Sequence, residues 1–407
     1  MKGPLVGMLL IAAVVVGASA EVTLERTPNS GIQPQVGVDE KGAVHLLYYG
    51  GDPKAGDLFY TRQRDETWMK PIRVNSQEGS AIAVGTIRGG QMAVASSQSG
   101  TMVHVAWNGA KSAPDSKHEG APMFYARLNS SGTAFEPERD LMTFTGGLDG
   151  GGSVAADNQG NVYVAWHGRA PGAKQGEIGR AVFVAKSSDG GATFAKEMQA
   201  SPDGLGACGC CGMKAYVDRA GALYMLFRKA EQMVNRDEVL LVSRNQGKTF
   251  QVMNSDPWTV GTCPMSSASL SEFQTASEVA RPHPDPLPQE REQRSPVKAN
   301  AGTGVLAAWE TAGQVRFAKI IGDKVLSTTT PQGTGKRKHP VIASKKNGET
   351  LFVWTDGTGW QKGGAVVWQI FDKDGKAIGE QRRKDGVPVW SFAGAYAKAD
   401  GSFVVVY

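Results

Sequence analysis

Six times along the chain an apolar run ends in an aromatic residue followed by a polar, charged or aromatic side chain. The first two copies are Val44-His45-Leu46-Leu47-Tyr48-Tyr49 and Val103-His104-Val105-Ala106-Trp107-Asn108, and the others are residues 162–167, 223–228, 305–310 and 351–356. Each copy has strand length, is rich in β-branched and aromatic residues and lies between turn-forming residues, which predicts a β-strand. Shorter strands are expected before the copies (91–95, 153–156, 213–217, 340–343) and after them (124–127, 182–186, 241–244). The first four copies start 59, 59 and 61 residues apart. Antiparallel units of about four strands at such a period predict an all-β fold, a β-propeller. A β-sandwich would give no reason for the regular spacing. A seventh copy, 403–407, lacks outer strands of its own, and residues 22–26 are placed to supply one. Six or seven blades both fit the count. Pairing the two chain ends removes an exposed strand edge and favours seven.

The step between the copies at 223 and 305 is 82 residues, some twenty too many for the period. The excess coincides with Arg281-Pro282-His283-Pro284-Asp285-Pro286-Leu287-Pro288, where alternate prolines cannot donate ladder hydrogen bonds. Residues 277–298 are therefore expected to be a disordered insertion within a single propeller domain, 21–407. At the other end, Lys2, an apolar run over 5–16 and Gly17-Ala18-Ser19-Ala20 read as a signal peptide, 1–20. The expectation is an exported, periplasmic or extracellular protein. No later stretch is apolar for the roughly 18 residues of a membrane span. The net charge of +5 is spread without a basic stripe, which argues against nucleic acid as a partner.

Two turns after predicted third strands share a pattern. Ser187-Ser188-Asp189-Gly190-Gly191-Ala192-Thr193-Phe194 and Ser243-Arg244-Asn245-Gln246-Gly247-Lys248-Thr249-Phe250 fit S-x-D/N-x-G-x-T-F. A short Asx side chain can accept from the N–H groups of a tight turn, and glycine supplies positive φ. Through Ser187, Asp189, Gly191, Thr193 and Phe194, and through Ser243, Asn245, Gly247, Thr249 and Phe250, the chain resembles the sialidase-like (BNR/Asp-box) propeller family. The resemblance implies a structural role for these ten residues and a glycan-directed, sialidase-type glycoside hydrolase activity. It also implies an arginine near the start of the first blade, where this chain has Ile32-Gln33-Pro34. Gln33 cannot make a charged bidentate clamp.

In a propeller, loops entering first strands and loops leaving second strands share one face, and ligands are expected at its concave mouth. The entering loops bring Arg88, Asp149, the cysteine cluster, Cys263-Pro264, Lys336-Arg337-Lys338-His339 and Trp390. The leaving loops bring Asn108, His118-Glu119, His167, Arg169, Arg228, Glu310 and Asp356. Arginines suit an acidic sugar, and two carboxyl groups could serve as acid and base or nucleophile. The expected substrate-binding residues are Arg88, His167, Arg169 and Arg228, and the expected catalytic carboxyls are Asp149 and Glu310. The expected partner is a carbohydrate or glycoconjugate, recognised with or without hydrolysis. His45 and His104 lie within strands and are expected to pack there.

Cys208, Cys210, Cys211 and Cys263 are the only cysteines. In an exported chain an even number favours disulfides. Cys263 lies in the loop neighbouring the cluster, so a Cys210–Cys263 bridge is expected, with Cys208–Cys211 as the second pair, since adjacent cysteines bridge only with distortion. Two other readings stand beside this one: four thiolates on a metal with help from His167 or His339, and a redox-active thiol. No other cofactor is expected.

Overall fold

The computed structural model describes residues 21–97, 100–110, 120–275, 302–326 and 328–407. The leader and the insertion expected from the sequence, and His118-Glu119, lie outside the described residues.

Seven separate sheets form the molecule among these residues. Blade 1 is Ile32–Val38, Val44–Asp52, Ala55–Arg64 and Thr67–Trp68, with Ile72–Arg73 also pairing to the third strand. Blade 2 is Gln91–Ser97, Gly100–Asn108, Met123–Arg127 and Arg139–Asp140. Blade 3 is Gly152–Ala156, Val162–Gly168, Ala181–Ser187 and Met198–Gln199, and blade 4 is Lys214–Val217, Leu223–Arg228, Glu238–Ser243 and Gln251–Asp256. Blade 5 is Ser269–Gln274, Thr303–Thr311, Gln314–Ile321 and Lys324–Val325. Blade 6 is Arg337–Ser344, Thr350–Asp356, Gly364–Phe371 and Ala377–Val387.

Blade 7 is built from both chain ends. Gly394–Ala397 and Phe403–Val406 pair antiparallel, and Val22–Glu25 adds to Phe403–Val406 in parallel with Val22 opposite Phe403. Each first strand packs on the next around the ring, and Gly394–Ala397 packs on Ile32–Val38 to close it. The fold is thus a seven-bladed propeller closed by its N- and C-terminal strands.

The apolar runs follow from this stacking. A second strand has another blade against each of its faces, so every residue of Val162–Gly168 is buried. Alternation is unnecessary where both faces are covered. Burial of each large side chain there stabilises the fold by roughly 1.5–3 kcal/mol. His45 and His104 sit in these strands, each with Nδ1 2.7 Å from a tyrosine hydroxyl of the third strand, Tyr60 and Tyr125.

Polar ties between blades repeat as well. The Glu197 carboxylate of blade 3 accepts from the backbone N–H groups of Thr143, Phe144 and Thr145 and from both threonine hydroxyls. Glu138 of blade 2 does the same for Ser76 and Gln77 after blade 1.

The Ser187–Phe194 and Ser243–Phe250 turns lie on the far face. The Ser187 hydroxyl accepts from the Gly191 N–H, and the Asp189 carboxylate accepts from the Thr193 N–H and hydroxyl. In the second turn Gly247 N–H donates to Ser243 and Thr249 N–H to Asn245. Gly191 is required twice over: its φ is 81°, and a Cβ would lie 1.9 Å from the Tyr125 hydroxyl of the preceding blade. Phe194 packs edge-on against the same Tyr125 ring, 4.8 Å between centroids.

Candidate functional site

The loops entering first strands and those leaving second strands meet on one face, and contacts between them run around the ring. The loop before blade 2 crosses the centre. A Cβ on Gly150 would lie 2.0 Å from Ile87 Cδ1, and one on Gly212 would lie 3.4 Å from Ile87 Cγ2. Ile87 therefore plugs the channel, and the glycines of the neighbouring loops are what let it pass. Below the plug, Lys214 of blade 4 donates to Gln35 of blade 1 and Gln91 of blade 2, 3.3 Å each.

Arg88 follows Ile87 and turns outward. Its Nη2 donates to Asp149 Oδ1 at 2.5 Å, its Nε to the Asp149 carbonyl and its Nη1 to the Val84 carbonyl. Asn108 donates to the same Asp149 carbonyl. The other Asp149 oxygen approaches the Gly209 turn, as does Arg180: a Cβ on Gly209 would be 2.9 Å from Asp149 Oδ2 and from Arg180 Nη1. Arg180 donates through Nε to the Gly147 carbonyl. Beyond it opens a cleft of about 110 Å³, lined by Ala170, Ile178, Arg180, Gln199, Pro202 and Asp203. Arg169 lies on its mouthward side, its guanidinium stacked over Gly147.

An aromatic corner stands across Arg88. Trp360, in the turn between the second and third strands of blade 6, is 54% exposed. Its ring meets buried Trp390 edge-to-face at 4.7 Å. A Cβ on Gly85 would lie 2.7 Å from Arg88 Nη1 and 3.7 Å from Trp360 Cζ3, so guanidinium and indole are neighbours. Gln33 holds this corner from below, donating through Nε2 to the carbonyls of Ala83 and Trp390. Where the resemblance implies an arginine, the chain thus has a buried bridge between loops.

The cysteines form the wall opposite. Cys210 of the loop into blade 4 is joined to Cys263 of the loop into blade 5. Cys208 and Cys211 are both buried free thiols, which corrects the expected second bridge. Their sulfurs rest at 3.3 Å, Cys208 donating to Cys211. The reason lies in separate anchoring: Cys208 N–H is bound to the Arg228 carbonyl, while the Cys211 sulfur accepts from the N–H groups of Ser266 and Met265. The two thiols therefore titrate apart. Cys208 is pushed up by giving its S–H to Cys211 and by burial. Cys211 is pulled down: burial works against ionisation, but the Cys208 S–H, the Arg228 charge and the two backbone donors outweigh it. Gly206, at φ 65°, makes the turn into this stretch.

Several of the expected site residues lie beneath the mouth, out of reach of a ligand. Arg228 is 2% exposed, donating to the carbonyls of Arg236 and Glu310 and pairing with Glu238 at 3.0 Å. Its position at a strand end signalled the right face and gave no sign of depth. Glu238 is pushed up to about 8 by burial, because one shared guanidinium returns less than the carboxylate loses in hydration. Glu310 is buried and pushed up to about 7, chiefly by burial, with Arg228 and Lys338 opposing. His167 is fully buried, held down to about 3 by burial and by the Arg180 charge. The Gly150 backbone is a polar group that faces its ring. Asp149 pairs with Arg88 at the lip, and Glu310 is buried with the charges of Arg228 and Lys338 beside it. Asp356 pairs with Arg383.

Sequence reasoning missed Trp360 and Arg180. Both carry a readable signal. Trp360 follows Gly357-Thr358-Gly359 in a loop leaving a second strand, and Arg180 ends the equivalent loop of blade 3.

No protein-family model matches the chain, and no curated protein matches it. Among solved structures it resembles the Penicillium chrysogenum α-L-arabinanase complexed with arabinobiose, with 12% identity, a TM-score of 0.50 and coverage of 88% of this chain and 98% of that one. The intramolecular trans-sialidase of Ruminococcus gnavus gives 9% identity, a TM-score of 0.49 and coverage of 86% and 95%. The Hadza microbial sialidase Hz136 gives 12%, 0.48, 87% and 71%. What is shared at these identities is the propeller fold. Among the described residues no helix is long and apolar enough to cross a membrane.

Proposed function

We propose that this chain is an exported propeller that binds carbohydrate at the mouth between Trp360, Arg88 and Arg180, without hydrolysing it. The observation that carries the reading is the exposed Trp360 ring, braced edge-on by Trp390 beside the Arg88 guanidinium. An indole face offers a flat apolar surface to the C–H face of a sugar, and its bracing removes the entropy loss of ordering it. Arg180, with one bond through Nε, keeps donors for a carboxylate or sulfate on an acidic sugar.

Glycoside hydrolysis by a carboxyl pair needs two such groups about 5–10 Å apart across the scissile bond. Asp149 is committed to Arg88, Glu310 is buried, and Ile87 reaches across to the loops entering blades 3 and 4. That arrangement supports recognition over turnover. The sialidase and arabinanase likenesses are compatible with a glycan-directed surface, and the disulfide with export.

The test is a panel of immobilised neutral and acidic glycans, run beside fluorogenic glycosides. Binding of at least one glycan without release of any fluorophore is expected. Turnover abolished by Glu310→Gln would replace binding with catalysis, and no binding across the panel would remove the proposal.

A further inference from the structure

Four sulfurs converge in the wall of the mouth, where one disulfide accounts for only two of them. Cys208 Sγ is 3.3 Å from Cys211 Sγ, 3.6 Å from Cys210 Sγ and 3.7 Å from Cys263 Sγ. In a tetrahedral thiolate site with metal–sulfur bonds of about 2.3 Å, neighbouring sulfurs stand about 3.8 Å apart. One sulfur thus already sits near tetrahedral-edge distance from the other three. Cys208, Cys210 and Cys263 offer their sulfurs within 4.8 Å of one another, and Cys211 adjoins this group through Cys208, so its sulfur would have to turn toward the other two to complete the tetrahedron.

The surroundings are built for negative charge. Arg228 lies directly behind, its carbonyl bound by Cys208 N–H, and its Nε has no partner. Arg236 is buried alongside, paired to Glu177, whose other oxygen accepts from Gly209 N–H inside the cysteine turn. Arg236 Nε and Nη1 also have no partner. Unsatisfied buried donors carry a free-energy cost unless an anion answers them. A metal–tetrathiolate, carrying two negative charges when the ion is divalent, would set an anion beside these two guanidinium groups.

We propose that Cys208, Cys210, Cys211 and Cys263 form a tetrathiolate centre for a thiophilic d10 cation, Zn²⁺ or Cu⁺, in the reduced chain. The structure described here is then the oxidised form. A small dithiol delivers two electrons and two protons to the Cys210–Cys263 disulfide and leaves as its own disulfide. Four thiols then lose four protons as four sulfur–metal bonds form. Cys210 and Cys263 stand 6.6 Å apart at Cα, the wide end of the disulfide range, so opening the bond to metal-ligand spacing asks little of the backbone. Soft thiolate donors select such ions over Mg²⁺ or Ca²⁺.

The test uses the full chain, reduced with a dithiol and freed of it anaerobically, then titrated with Zn²⁺ and, separately, Cu⁺ against a coloured chelator. Uptake of one equivalent is expected, with all four thiols becoming unreactive to an aromatic disulfide reagent. Co²⁺ should give intense thiolate charge-transfer absorption and tetrahedral d–d bands. Cys211→Ser and Cys263→Ser should each weaken binding at least tenfold. The Zn²⁺ and Cu⁺ arms tell which ion is preferred. Four freely reactive thiols in folded, reduced wild type with no uptake would overturn the proposal, as would equal uptake by chain retaining the disulfide. The cobalt spectrum of wild type decides the matter even where a serine variant fails to fold.

Discussion

Arg88 grips Asp149 twice, by side chain at 2.5 Å and by backbone, and so fastens the loop entering blade 2 to the loop entering blade 3. The pair is partly exposed, 18% and 42%, so its charge–charge part is screened. Asp149→Asn, which keeps an acceptor, should cost less than about 1 kcal/mol in urea unfolding. Arg88→Ala loses three acceptors' partner at once and should cost about 1–2 kcal/mol. Equal costs for the two would mean that the ion pair, and not the guanidinium's span across loops, holds the lip.

Glu197 should show its role in pH. Burial opposes its ionisation, but three backbone N–H groups and the Thr143 hydroxyl hold it down to about 2, against an ordinary 4.5. A depressed carboxyl contributes stability that is fully present above pH 4.5 and is lost as pH falls through 2. Glu197→Gln should therefore cost about 2 kcal/mol at pH 7, the range for charged hydrogen bonds, and the difference from wild type should shrink between pH 4.5 and 2. A pH-independent difference would contradict this.

The fold was legible in the sequence because second strands are covered on both faces, which writes an apolar run into each blade, the first four starting 59 to 61 residues apart. Ring closure was legible too, since residues 403–406 arrive without outer strands. Loop position predicted which residues share the mouth, and Arg88, Asp149 and the cysteines do. Depth was not legible. Arg228 and Glu310 stand at or beside the ends of second strands just as Asp356 does, yet Asp356 keeps contact with solvent while packing of blades 4 and 5 leaves the other two 2% exposed. Trp360 was overlooked because an aromatic in a Gly-Thr-Gly turn reads alike whether it is buried or proud of the surface. The Cys210–Cys263 bridge was readable from blade order, whereas the backbone donors from Ser266 and Met265 that hold the unbridged Cys211 sulfur were not.

Lys214 makes the opposite pH prediction to Glu197. Its amine, in the channel below Ile87, is lowered to about 8 by loss of hydration, against an ordinary 10.5. The unfolded chain then binds the extra proton between these values, so Lys214 destabilises the fold below pH 8 and this is relieved as pH rises to 10.5. Lys214→Met should raise stability at pH 7 by about 1–2 kcal/mol, less than the full shift implies because the side chain is only partly buried by area. The advantage over wild type should vanish by pH 10.5; a constant advantage would place the amine in free contact with water.

The proposed role of Trp360 as a sugar platform is read out by affinity. Calorimetric titration of the best glycan from the panel should give at least tenfold weaker binding for Trp360→Ala, about 1.4 kcal/mol, with unfolding midpoints within error of wild type, since a 54% exposed ring contributes little to the core. Unchanged affinity in a folded Trp360→Ala protein would contradict the account.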